Sequence, residues 1–156
     1  MWIKRWPSGA ISLRVEYVNG LEEGESIAYW EDGTVAQKGQ MKNGHCVGEW
    51  IDYYPSGSIQ CRGTYKDGEW DGQRQYFFDQ GGLSCIEEWR NGIQHGRCVQ
   101  YTYEGEVLAE GFYVEGQKTS GTFFEFEDEE NFTGRNKPVT YEDGVPVSER
   151  WLDDVF

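Results

Sequence analysis

The chain has 156 residues, enough for one domain, and carries 28 acidic against 14 basic side chains, a formal charge of −14. That balance argues against nucleic acid or anionic lipid as a ligand, because such contacts rest on Lys and Arg neutralising phosphate; a basic protein fits better. No stretch approaches the roughly 18 apolar residues of a membrane span, and MWIKRWPSG lacks an apolar leader core, so the chain reads as cytoplasmic.

From its first residue the sequence repeats every 24 residues, in units 1–24, 25–48, 49–72, 73–96 and 97–121, the last with one insertion. Three glycine columns keep phase. The first is Gly9, Gly33, Gly57, Gly81 and Gly105; the second Gly20, Gly44, Gly68, Gly92 and Gly116; the third Gly24, Gly48, Gly72, Gly96 and Gly121. Between them lie short runs of aromatic and β-branched residues, Ile51–Tyr54 and Ile59–Tyr65 in the third unit, which predict two strands per unit. The first run ends at a PSG, EDG or DQG turn. The second closes on Asn43-Gly44, Asp67-Gly68 or Asn91-Gly92, dipeptides that accept the positive φ angles of tight hairpins. The predicted fold is all-β: an elongated antiparallel sheet of stacked hairpins.

Alternation along the second strand places Ile59, Cys61, Gly63 and Tyr65 on one face. The columns Ile11, Val35, Ile59, Leu83, Val107 and Tyr17, Met41, Tyr65, Trp89, Tyr113 are the predicted core. Gly39, Gly63 and Gly111 mark places where the strand is expected to bend or bulge. Adjacent aromatics at Tyr29-Trp30, Tyr53-Tyr54 and Phe77-Phe78 point to opposite faces, so Trp30, Tyr54 and Phe78 are candidates for an exposed aromatic ladder that anchors a partner. The segments after each Asn-Gly turn (LEEG, HCVG, EWDG, IQHG) vary most and read as loops that carry specificity. Within them Trp70, flanked by Glu69 and Asp71, is the candidate anchor for a pocket lined with Lys or Arg.

The chemistry of catalysis is weakly represented. His45-Cys46 and His95-x-x-Cys98 lie two repeats apart, on the order of 20 Å, which excludes one ion held by all four. Cys61 and Cys85 share a column in neighbouring repeats at ~10 Å, too far for a disulfide. No cofactor, metal or catalytic residue is expected, and the chain reads as a non-enzyme.

The period breaks after residue 121. Residues 122–147 read as a degenerate sixth unit and 148–156 as a cap to the array. Residues 122–156 hold ten acids against three bases. Glu125, Glu127, Asp128, Glu129 and Glu130, beside Phe123, Phe124, Phe126 and Phe132, form an acidic run suited to plugging a basic cleft.

The pattern of paired aromatics, Gly57, Gly63, then Tyr65-Lys66-Asp67-Gly68 and Gly72 resembles the MORN repeat, in the variant form found in bacterial proteins labelled antitoxin components. The resemblance is strongest over residues 25–96 and extends to Gly9 and Gly116. It implies a hairpin-by-hairpin sheet with a binding role, of the antitoxin or immunity type, that neutralises a basic toxin by stoichiometric occlusion. The alternative is a scaffold or assembly adaptor that binds through its sheet face or edge and self-associates.

Overall fold

The computed structural model describes residues 1–126 and 136–149. Its elements are β1 (Trp2–Arg5), β2 (Ile11–Val18), β3 (Leu21–Tyr29), β4 (Val35–Lys42), β5 (His45–Tyr53), β6 (Ile59–Lys66), β7 (Glu69–Phe77), β8 (Leu83–Arg90), β9 (Ile93–Tyr101), β10 (Val107–Val114), β11 (Gln117–Phe126), β12 (Asn136–Glu142) and β13 (Val145–Glu149). They form one 13-stranded sheet in sequence order, each strand antiparallel to the next. No described residue is helical, and no helix is long and apolar enough to cross a membrane. At ~4.8 Å per strand, the sheet is on the order of 60 Å across.

Local chemistry sets both rows of turns. Asn43 (φ 50°) and Gly44 (φ 78°) form a two-residue hairpin with positive φ at both positions, the geometry that matches the twist of the flanking strands. Asp67, Asn91, Glu115 and Asp143 repeat it. At the opposite ends of the strands, the Trp30 amide donates to the Thr34 carbonyl (2.8 Å) and the Gly33 amide to the Trp30 carbonyl (3.0 Å), with Gly33 at φ 90°. This is a three-residue hairpin closed by a glycine bulge.

The third glycine column is not in loops. Gly48 lies inside β5, where Lys38 pairs with Ile51 and Gln40 with Val47, leaving residues 48–50 opposite Gly39 alone. Comparable shifts fall beside Gly72 and Gly96. Segments such as HCVG and EWDG are therefore the first halves of nine-residue strands interrupted by a bulge, which corrects their reading as variable loops.

The buried side chains also differ from the predicted columns. Of those columns Met41 is buried, but Val107 is 56% and Tyr17 43% exposed, and the other buried side chains are Val15, Trp50, Cys61, Cys98, Val99, Ala109, Phe123 and Val139. Among the described residues a single layer has no opposing sheet to cover a whole face, so burial there comes from large side chains laid over small ones on the neighbouring strand. Trp50 lies on Gly39: a Cβ there would stand 2.5 Å from the indole Cγ and closer to two other ring atoms. Gly63 lies under Trp70 and Gly111 under Phe123 in the same way. These glycines leave room for rings, and register shifts fall at Gly39 and beside Gly63, where a bend or bulge is expected. Where the column holds Val15 and Glu87, the residues paired with them are the small Ser26 and Cys98.

Candidate functional site

The bulges decide which side chains meet. Arg74 follows the Gly72 bulge on β7 and pairs with Gly63 on β6 and Glu87 on β8. Its guanidinium lies 4.2 Å from the Trp70 ring centroid, 4.9 Å from Tyr76 and 6.0 Å from Trp89, and its Nε donates to Cys61 Sγ at 3.2 Å. Trp70 in turn packs on Tyr65 at 3.7 Å, and Tyr65 meets the edge of Trp50 at 5.9 Å. A cation against desolvated aromatic faces contributes on the order of 1–2 kcal/mol. Lys118 occupies a similar place further along, 5.1 Å from the Phe123 centroid and 5.4 Å from Tyr141.

Between these two cations, Cys85, Glu87 and Cys98 bring two sulfurs and a carboxylate oxygen within 4.8 Å of one another. Glu87 and Cys98 are direct partners across β8 and β9, and Cys85 is two residues along β8 on the same face. Trp89 Nε1 donates to Glu87 Oε2 at 3.0 Å. A hydrogen bond between the two thiols, reinforced by burial at Cys85, raises the pKa of Cys85, while the same bond holds Cys98 below the ordinary thiol value. Burial first, then the charge of Glu87, raises the Tyr76 hydroxyl far above its usual range. Four free cysteines are present, and Cys61 and Cys98 are buried.

The candidate residues named from sequence do not form one patch. Trp70 begins β7, and Phe78 follows its end, a separation of roughly 25 Å along the strand. Trp70 is half-buried beneath Arg74, so its ring belongs to the face and is not encircled by the flanking acids. Asp71 Oδ2 accepts from the Asn91 amide at 3.2 Å, and the exposed Glu69 side chain lies against the Gly92 turn. Both acids support the next hairpin. The same device recurs at Glu23, which accepts from Asn43 (2.8 Å), and at His95, which accepts from the Glu115 amide (3.4 Å). Backbone bonds run beside it, with the amides of Gly44, Gly68, Gly92 and Gly116 donating to the carbonyls of Glu22, Cys46, Trp70 and Gln94 at 2.8–3.0 Å.

Trp30, Tyr54 and Phe78 line up at the other row of turns. Tyr54 donates its hydroxyl to the Phe77 carbonyl (2.9 Å), and Phe78 stacks on Tyr103 at 3.8 Å. Trp30, 36% exposed, lines an open depression of about 520 Å³ with Trp6, Lys4 and Arg5. In the acidic run, Glu125 is on β11 in register with Lys137, while Glu127, Asp128, Glu129 and Glu130 lie outside the described residues. Cap residues 150–156 do too.

Sequence reasoning missed Arg74 and the Cys85, Glu87, Cys98 group. The available signal was the third glycine column: read as a bulge, it carries the strand past Gly96 and sets Cys98 opposite Glu87. No curated protein matches the chain. The model of the MORN repeat variant family matches residues 22–43 and 47–67, so two consecutive stretches of this sheet are similar to that repeat.

Proposed function

We propose that the chain is a protein-binding module that acts by occupancy and not by catalysis, and that it neutralises a basic partner of the toxin class at equal stoichiometry. The observation that carries this reading is the one-layer sheet: thirteen strands side by side give two broad faces and two rows of turns, a large surface for a small chain. Acidity supports the sign of the partner. Ten acids against three bases in residues 122–156 make the C-terminal unit the principal contact, with Glu69 and Asp71 adding charge along one turn row. Opposite charge speeds encounter and sharpens partner choice, and both effects weaken with salt.

The test is capture from native lysate on the tagged full chain, followed by a salt step. One basic protein retained at equal stoichiometry at low salt and released at high salt is the expected result. Lysine replacement of Glu127, Asp128, Glu129 and Glu130 should then slow association at least tenfold. Retention that ignores both salt and charge reversal would sink the reading.

A second reading, an assembly adaptor, is favoured by the edge of β1, which pairs only with β2 among the described residues and where Trp2 is 48% and Ile3 41% exposed. An unpaired edge is a template for another strand. It predicts a salt-insensitive rise in molecular mass with concentration in light scattering.

A further inference from the structure

We infer that Cys85, Glu87 and Cys98 form a thiolate-rich site for a divalent metal ion of the zinc class. Their donor atoms lie within 4.8 Å of one another, close to the ~3.8 Å edges of a tetrahedron with zinc–sulfur bonds of about 2.3 Å. Two sulfurs and one carboxylate leave a fourth position, the arrangement of an open site. Soft thiolates select zinc-class ions over magnesium or calcium.

Three features of the surroundings fit an ion. Trp89 Nε1 already orients one Glu87 oxygen (3.0 Å), the outer support that ligating carboxylates carry. Two thiolates, one carboxylate and a divalent ion sum to −1, and Arg74 and Lys118 both act electrostatically on this group, Arg74 on Glu87 and Lys118 on Cys98. Gln100, paired directly with Cys85 across β8 and β9, keeps its Oε1 buried without a hydrogen-bond partner among the described residues. A water on the fourth position would give that acceptor a donor. The histidines take no part: His45 and His95 lie at the turn row, His95 against the Glu115 turn.

The experiment uses the reduced, chelator-treated full chain titrated with Co²⁺ and then Zn²⁺. One Co²⁺ per chain is expected, with thiolate-to-metal charge-transfer absorption, the visible bands of a tetrahedral ion, and displacement by Zn²⁺. Cys85→Ser and Cys98→Ser should each remove most of the charge-transfer intensity, Glu87→Gln should weaken binding about tenfold or more, and Trp89→Phe should weaken it by ~10-fold. Cys46→Ser should leave binding unchanged. Far-UV circular dichroism identifies any variant that fails to fold. Independently of the variants, Zn²⁺ should protect the half-buried Cys85 of the wild-type chain from alkylation while Cys46 still reacts. Absence of stoichiometric binding by the reduced wild-type chain, binding that survives in folded Cys85→Ser and Cys98→Ser chains, or protection that includes Cys46 equally, would overturn the assignment.

Discussion

Gly39→Ala should destabilise the sheet, and Trp50 should be the reason. Gly39 is absent from the positive-φ residues, so an alanine is compatible with its backbone and would by itself gain about 0.4–1 kcal/mol through the unfolded chain. Space sets the opposite sign. The new Cβ would stand 2.5 Å from the Trp50 Cγ, against a carbon–carbon contact of roughly 3.5–4.0 Å, so the ring must move by about 1 Å or more. That ring is 6% exposed, bonded through Nε1 to the Gln40 carbonyl (3.2 Å) and packed against Tyr65. Overpacking of this kind costs about 1–3 kcal/mol, with loss of the whole ring, about 3–5 kcal/mol, as the ceiling. In a Trp50→Ser background, which copies the Ser26 arrangement, Gly39→Ala should become neutral or stabilising. The assay is urea unfolding of the four chains of this double-mutant cycle. A coupling of at least about 1 kcal/mol is expected, and additivity within ~0.5 kcal/mol would refute the ring-over-glycine account.

Arg74→Gln should lower stability by about 1–2 kcal/mol, with Arg74→Lys recovering only part because an ammonium cannot stack as a planar guanidinium does; urea midpoints measure both. Glu115 holds φ 49° where the other hairpins have Asn or Asp, so Glu115→Asn should stabilise by about 1 kcal/mol and raise Tm by roughly 2–4 °C in a thermal melt. The Asp79 carboxylate accepts from the hydroxyls of Ser56 and Ser58, which hold its pKa below the ordinary value. Its contribution is complete above the unfolded value of about 3.9 and fades as pH falls through the lower folded value, so the gap between wild type and Asp79→Asn should close in that acid window when urea midpoints are followed with pH.

The sequence by itself determined the strand order and both rows of turns. That information is local: Asn43-Gly44 and its copies favour a two-residue hairpin wherever they stand, and a 24-residue spacing leaves room for one hairpin and its link to the next. It also marked Gly39, Gly63 and Gly111 as special positions, though it could not show that their purpose is to make room for Trp50, Trp70 and Phe123. Only the tertiary structure decided which residues meet across strands. Side chains alternate with a period of two, so the two extra residues at each bulge keep the faces but shift every pairing beyond it by two. The bulge at Gly96 makes Cys98 the partner of Glu87, and the bulge at Gly72 puts Arg74 over Trp70. Local preference fixes where a hairpin turns; register, a property of two strands together, fixes what it assembles.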